Sequence, residues 1–178
     1  KDGCIRPETS LESMSGLKPA FDKDGVVTAA TSSPLTDGAA AVIVCSEDYA
    51  NKNSLEILAH IRGMAISGCS PEIMGIGPVL SSQKALKRAG IKLEDVDIIE
   101  MNEAFAAQSL ACIKELGVEM SKLNIHGGAI SMGHPLGASG ARITGKAASL
   151  LKETGKRYAL STMCVGGGQG CATVLERV

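Results

Sequence analysis

Segments typical of strands alternate with segments typical of helices along most of this chain, and this alternation limits its possible folds more than any other feature. Residues 39–45 (AAAVIVC) form a continuous apolar run, which is the pattern of a strand buried on both faces. Further strands are predicted at residues 55–67, 96–101, 157–164 and 171–177. The alternation predicts an α/β layered fold in which the last two strands form an antiparallel pair.

Helices are predicted at residues 78–89, 103–116 and 139–154, and each of these segments is followed by a glycine that can end it in a left-handed conformation. A shorter helix is predicted to begin after Ser46, whose hydroxyl can cap it. Residues 1–38 are predicted to be loop-like, because they contain three prolines and a run rich in Ser and Thr.

The composition excludes several classes of protein. The chain has 178 residues, of which 44% are hydrophobic and 21% charged, and this balance is ordinary for a soluble globular protein. A net charge of -1 leaves no basic surface for nucleic acid or for anionic lipid. No apolar segment approaches the roughly 18 residues that a membrane helix needs. We therefore expect a cytoplasmic protein with neither a nucleic-acid partner nor a membrane partner.

The six cysteines show no pattern of a metal site. No two of them form a CxxC pair, and their spacings match no zinc signature, so we expect no bound metal. Cys45 and Cys112 lie within apolar segments, which favours reduced, mostly buried thiols. Such thiols are typical of a reducing compartment such as the cytosol.

The first candidate for chemistry is residues 102–106 (NEAFA), at the junction of a predicted strand and a predicted helix. Free backbone donors and the helix dipole favour negative charge at such a junction, where α/β proteins place reacting groups. Taken alone, Asn102 is more simply explained as the cap of the helix.

The second candidate is residues 127–142 (GGAISMGHPLGASGAR), a glycine-rich loop that carries His134 just before a helix. Histidine exchanges a proton near neutral pH, and its N–H group can also polarise a carbonyl. One alternative is a phosphate-binding loop, but neither GxxxxGK[ST] nor a strand-linked GxGxxG is present. The other is a structural histidine, which is the interpretation we favour for His60 and His126.

The third candidate is residues 164–170 (CVGGGQG), where Cys164 ends a predicted strand and a tight glycine turn follows. Such a turn lets a substrate approach the sulfur, and its backbone N–H groups can stabilise an oxyanion. By itself, Cys164 is better explained as one more buried thiol.

In their order and spacing, these three segments resemble the thiolases, enzymes that make or break the carbon–carbon bond of a 3-ketoacyl-CoA thioester. Residues 32–44 (SSPLTDGAAAVIV) and 72–78 (EIMGIGP) resemble the same family, so the resemblance covers essentially the whole chain. It implies the thiolase fold, whose C-terminal domain is a mixed five-stranded sheet flanked by helices.

The resemblance also implies how the chain is divided. Residues 1–35 would be the end of a loop region, and residues 36–55 the last strand and helix of the N-terminal thiolase domain. Residues 56–178 would form the C-terminal domain. Little except loop precedes residues 39–45, and the chain does not begin with Met. We therefore expect an N-terminal half that is missing from this chain.

Four residues take catalytic roles if the resemblance holds. His134 would activate the nucleophilic thiolate and donate to the thioester oxygen, and Cys164 would move the proton at the α-carbon of the second acyl-CoA. Asn102 would hold a water that shares an oxyanion hole with His134, and the backbone N–H of Gly166 would contribute to a second hole. The implied CoA contacts are Ser33 at the pantetheine arm, Phe21 and Met74 along the tunnel, and Phe105 at the acyl pocket.

The sequence departs from the family pattern in two places. His126 stands where many relatives carry Asn, and the family's nucleophilic Cys is absent. Cys4 lies in a loop-like segment without the glycine-rich surroundings that the family uses, and the other spare cysteines occupy predicted strand or helix positions. We therefore expect this chain alone to be inactive.

We expect the intact enzyme to be a biosynthetic acetyl-CoA acetyltransferase, a dimer or tetramer that uses CoA thioesters without a metal or redox cofactor. The alternatives are a degradative 3-ketoacyl-CoA thiolase and a non-catalytic piece that binds CoA or a partner. A ketosynthase shares the fold but has His where Cys164 stands.

Overall fold

Four strands form one mixed sheet in the computed structural model, which describes residues 2–178. They are β1 (Ala59–Gly68), β2 (Ile98–Met101), β3 (Tyr158–Val165) and β4 (Gln169–Arg177), and they lie in the order β1, β4, β3, β2. Strand β4 runs antiparallel to both of its neighbours, whereas β2 runs parallel to β3. The predicted α/β fold and the antiparallel pair at the end of the chain are confirmed.

Helices connect these strands and cover both faces of the sheet. The α-helices are α1 (Leu11–Ser15), α2 (Glu47–Lys52), α3 (Gly77–Ala89), α4 (Ala106–Leu116), α5 (Ala129–Met132) and α6 (Ser139–Thr154). As predicted, the three longest helices, α3, α4 and α6, each end at a glycine with positive φ. Short 3-10 turns lie at Ala29–Thr31, Pro71–Ile76, Leu93–Asp95 and Met120–Lys122.

The core lies on the two faces of the sheet because successive side chains of a strand point to opposite sides. Ile99 and Met101 of β2 belong to the apolar cluster that includes Leu86 of α3, and Ile98 belongs to the cluster that includes Leu150 of α6. All five of these side chains are buried, and burying one such side chain stabilises a fold by about 1.5–3 kcal/mol. Strand β2 therefore lies between the two apolar clusters.

The sheet has four strands instead of the five that the resemblance implied. Beside β2, where a fifth strand would lie, the chain makes a single parallel bridge from Leu123 to Ile99. The 3-10 turn Met120–Lys122 precedes this bridge, and Asn124 follows it with a φ of 43°. Extended backbone between these two turns lasts only one residue, so no strand forms there.

The predicted strand at residues 39–45 is wrong for this chain. Among residues 2–178 no strand lies beside this segment, and Ile43 and Val44 are 81% and 71% exposed. An apolar strand needs hydrogen-bonding neighbours and cover on both faces, and the described chain supplies neither. The segment instead forms one wall of a cavity of about 840 Å³, whose other walls are residues 55–61 and helix α6.

The expectation of mostly buried thiols is also wrong. All six cysteines are free, but only Cys112 and Cys164 are buried, while Cys45 is exposed at the end of the unpaired 39–45 segment.

Within residues 2–178, no helix is both long and apolar enough to cross a membrane.

We expect the isolated chain to self-associate through residues 39–45, because unpaired apolar backbone of this kind pairs readily with another copy. Light scattering should give a mass above the 18.3 kDa of one chain, and Ile43→Lys should shift that mass towards the monomer. Leu11→Lys is the matched control, since Leu11 is 82% exposed in α1, away from this segment. A wild-type chain that stays monomeric and unfolds cooperatively would contradict the prediction.

Candidate active site

Asn102 lies directly after β2, at the carboxyl end of the sheet. Its backbone N–H donates to the carbonyl oxygen of Thr162 in the neighbouring strand β3, at 3.0 Å. The interpretation of Asn102 as a helix cap is wrong, because helix α4 begins only at Ala106 and its N-cap is Phe105. The side chain of Asn102 is therefore free to serve another purpose.

Helix α4 begins three residues later than predicted because another segment bonds to residues 104–105 and Phe105 is extended. The backbone N–H of Ser33 donates to the carbonyl of Ala104 at 3.0 Å, and Ser32 forms an antiparallel bridge with Phe105. The Ser33 hydroxyl also donates to Ala104, at 3.3 Å. Ser32 and Ser33 are thereby bonded to the residues that follow Asn102.

The amide of Asn102 meets the imidazole of His134. Asn102 Nδ2 lies 3.3 Å from His134 Nε2, although the two residues are 32 positions apart in sequence. Asn102 is wholly buried, and its Oδ1 accepts no hydrogen bond from the described residues. Buried polar atoms are rarely left without a partner, so this oxygen is suited to bind a water or a substrate group.

Ser139 determines which nitrogen of His134 carries the proton. Its hydroxyl lies 2.6 Å from His134 Nδ1 and donates to the carbonyl of Pro135 at 3.1 Å. A hydroxyl has only one proton to donate, so Ser139 accepts its second hydrogen bond from Nδ1–H. The lone pair of Nε2 then accepts from Asn102, and it is this nitrogen that can take up a proton.

The surroundings of His134 keep the imidazole neutral. Burial lowers the pKa of His134 below its ordinary value, and the positive charge of Arg142 lowers it further. The backbone N–H of His134 donates to the carbonyl of Pro34 at 3.0 Å, which anchors the residue. Gly133 has a φ of 99°, and a side chain there would lie 2.6 Å from Thr36 Oγ1. The loop therefore presents a neutral base in a fixed position.

Cys164 lies at the same end of the sheet as Asn102, near the carboxyl end of β3. In the parallel pair Met101 stands opposite Thr162, and Cys164 follows Thr162 by two residues on β3. Its side chain is buried, and this burial raises the pKa of Cys164 to about 11, with the nearby Cys112 adding to the rise. At neutral pH Cys164 is therefore a thiol that holds a proton, which suits an acid more than a resting nucleophile.

The glycine turn after Cys164 exposes backbone. Gly166 is exposed, and a side chain added there would meet no atom within 4 Å. Its carbonyl accepts from Gln169 Nε2 at 3.3 Å, and the carbonyl of Gly168 accepts from Cys69 N–H at 2.7 Å. The turn is thus anchored on its far side and open beside Gly166.

Three of the four implied CoA contacts lie together. The rings of Phe21 and Phe105 are 6.3 Å apart and nearly perpendicular, and Ser33 bonds to Ala104 next to Phe105. Phe21 is 80% exposed. Met74 is half-buried in the separate turn Pro71–Ile76.

Two protein-family models match this chain. Residues 55–177 match the family model for the C-terminal domain of thiolases, and residues 1–48 match the model for the N-terminal domain. The chain belongs to the thiolase family. The resemblance that the three motifs carry is confirmed.

Known thiolases are similar over almost the whole chain. The 3-ketoacyl-CoA thiolase of Vibrio parahaemolyticus is 57% identical over 180 residues, which are 99% of this chain and 46% of that protein. The crystal structure of human mitochondrial 3-ketoacyl-CoA thiolase superposes with a TM-score of 0.97 at 49% identity, over 99% of this chain and 45% of that one. The crystal structure of the Bacillus anthracis acetyl-CoA acetyltransferase superposes with a TM-score of 0.96 at 44% identity, over 100% of this chain and 45% of that one. The chain thus spans about half the length of the relatives that it matches.

Sequence reasoning missed two residues of this candidate site. Ser139 lies in the second motif, but a serine at the start of a predicted helix has an ordinary explanation as a cap. Asn124 has a φ of 43°, and its amide bonds both the N–H and the carbonyl of Met101 at 2.9 Å. Asn adopts positive φ more readily than most residues, so an Asn three residues before two glycines was the available signal.

Glu100 is a buried carboxyl beside the candidate site, and the sequence did not reveal its position. It is 2% exposed on the α6 face of β2, and its Oε1 has no hydrogen-bond partner among residues 2–178. Burial raises the pKa of Glu100 to about 7, against the charges of Arg142 and Lys146, which lower it. Arg142 therefore acts on both Glu100 and His134.

The other two histidines lie outside the candidate site. His60 is half-buried on β1, opposite Glu176, and His126 is on the surface with its Nδ1 2.7 Å from Lys146 Nζ. Within residues 2–178, no group of three or more His, Cys, Asp or Glu side chains is arranged to hold a metal ion.

Proposed function

We propose that this chain forms the C-terminal part of a degradative 3-ketoacyl-CoA thiolase, with its active site completed by an N-terminal thiolase half. The observation that supports the chemistry is the contact between Asn102 and a neutral His134 at the sheet edge where Cys164 also lies. The names of the relatives that are 55–57% identical support the degradative direction over the biosynthetic one that the sequence alone favoured.

Cleavage would begin at the 3-keto carbon of the substrate. His134 takes the proton of the nucleophilic thiol at Nε2, and the resulting thiolate attacks the ketone. The tetrahedral intermediate then breaks its carbon–carbon bond, and the electron pair passes to the α-carbon as an enolate of acetyl-CoA. Asn102 with its water and protonated His134 would stabilise the oxygen of this enolate. Cys164 gives its proton to the α-carbon, and acetyl-CoA leaves.

The second half of the reaction would restore both cysteines. The Cys164 thiolate takes the proton of an incoming CoA thiol, and the CoA sulfur attacks the acyl-enzyme. The backbone N–H of Gly166 would stabilise the oxyanion that forms, and the collapse releases acyl-CoA and the nucleophilic thiolate. That thiolate recovers its proton from His134, so protons and bonds balance over one cycle.

A biosynthetic acetyl-CoA acetyltransferase is the second candidate, because the Bacillus anthracis enzyme of that name is 44% identical over the whole chain. The same residues would run the reaction in reverse, with the Cys164 thiolate removing the α-proton. The two candidates differ in the acyl chains that they accept and not in the chemistry of the site.

To test the proposal, this chain would be fused behind the N-terminal half of the Vibrio parahaemolyticus relative, giving a reconstituted enzyme. We expect it to cleave 3-ketohexadecanoyl-CoA as well as acetoacetyl-CoA, and we expect the chain alone to cleave neither. Cleavage of acetoacetyl-CoA alone would favour the biosynthetic candidate. No thiolysis at all, while the intact relative is active in the same assay, would contradict both candidates and leave a non-catalytic role.

A further inference from the structure

We propose that Glu103 is a positioning residue that holds the catalytic loop of His134 against Asn102; this inference rests on the proposed function. The Glu103 carboxylate accepts two hydrogen bonds from segments far along the chain. Oε2 accepts from the backbone N–H of Ile130 at 3.1 Å, and Oε1 accepts from Asn124 Nδ2 at 3.0 Å. The first bond anchors the loop that leads to His134.

The carboxylate lies directly on the backbone where helix α5 begins. Gly128 is the N-cap of this helix and has no side chain to satisfy the free N–H groups, so Glu103 takes that part. A side chain at residue 128 would overlap the Glu103 carboxylate, which shows how closely the two segments approach. Helix α5 ends at Met132, and His134 follows two residues later. Fixing the start of α5 therefore fixes the entry of the loop to His134.

Asn124 connects the same carboxylate to the end of β2. Its amide bonds the N–H and the carbonyl of Met101, the residue that precedes Asn102, and it also donates to Glu103. Two adjacent residues thus hold the loop at two places, since Asn102 contacts His134 and Glu103 contacts Ile130. The charge-assisted bonds of Glu103 therefore lie next to the 3.3 Å contact of Asn102 with His134. Such bonds are roughly twice as strong as neutral ones.

Only an acceptor with two free oxygens can make both bonds. Glutamine has the same size, but its amide would turn an N–H group towards either the Asn124 amide or the Ile130 N–H, and one bond would be lost. Glu103→Gln is therefore the direct test. Glu115→Gln is the matched control, because Glu115 is exposed on α4 and belongs to none of these contacts.

The first measurement is hydrogen exchange of the Ile130 amide in the 178-residue chain. We expect Glu103→Gln to speed this exchange by about 10- to 100-fold and Glu115→Gln to leave it unchanged. Exchange of the β3 amides serves as the check on folding. If Glu103→Gln disturbs them too, Glu103→Asp replaces it, because Asp keeps the charge but draws the carboxylate back by one methylene. An Ile130 amide that exchanges at the wild-type rate would overturn the proposal.

The second measurement asks whether Glu103 acts through His134. In the reconstituted enzyme we expect Glu103→Gln to lower kcat for thiolysis by about 10-fold or more, with KM for CoA nearly unchanged. In the His134→Ala background the same change should lower kcat no further. An equal fall in both backgrounds would overturn the proposal even if the Ile130 amide responds. A wild-type reconstituted enzyme without thiolysis would instead show that the proposed function fails, and a role of Glu103 in catalysis would fail with it.

Discussion

Replacing Cys164 with Ser in the reconstituted enzyme should lower α-proton exchange of acetyl-CoA in D₂O by about 10²–10⁴-fold, the usual contribution of a general acid or base. Serine nearly matches the size of cysteine, so the buried site should keep its packing. Its hydroxyl is a far weaker acid than a thiol, and it cannot carry the proton at neutral pH. Transfer of an acyl group to the nucleophilic Cys should survive better, because that half-reaction depends on His134.

Cys112→Ser is the matched control for this prediction. Cys112 is the other buried thiol, and burial raises its pKa as it does that of Cys164. Its thiol donates to the carbonyl of Gly75 at 3.3 Å, a structural contact that a serine hydroxyl can also make. Exchange at the wild-type rate in Cys164→Ser would remove Cys164 from the mechanism and leave it as a packing residue.

Replacing Gly170 with Ala should destabilise the chain by about 3 kcal/mol or more, at the upper end for an overpacked site. An added Cβ at this position would overlap the carbonyl of Gly77 and lie 2.8 Å from its Cα. Both partners are backbone, so no change of rotamer can relieve the overlap. The first turn of α3 and the glycine turn at Gly166 would have to separate. Thermal or denaturant unfolding of the chain measures the loss.

Gly137→Ala is the control for the stability prediction. Gly137 is exposed, and an added Cβ would meet no atom within 4 Å. The change should therefore alter the free energy of unfolding by much less than Gly170→Ala. Equal stability of the two variants would show that the contact between Gly77 and Gly170 does not hold the turn in place.

The C-terminal ends of the long helices and the four strands of the sheet could be predicted from sequence because they depend on local physics. Helix α6 (Ser139–Thr154) has the predicted bounds, since Gly155 ends it in a left-handed conformation with a φ of 69°. The start of α4 could not be predicted, because it depends on the hydrogen bond that Ser33 makes to Ala104 from 71 positions away. The strand predicted at residues 39–45 also depended on distant segments, because a strand exists only where a neighbouring strand pairs with it.

The sequence by itself determined the family and the residue types of the site, because the motifs around Asn102, His134 and Cys164 are long and specific. Only the tertiary structure decided how these residues work together. Ser139 sets the proton on Nδ1 of His134, and Glu103 binds the loop at Ile130. Such contacts join atoms that the fold brings within about 3 Å, and neither composition nor spacing records a hydrogen bond between distant segments.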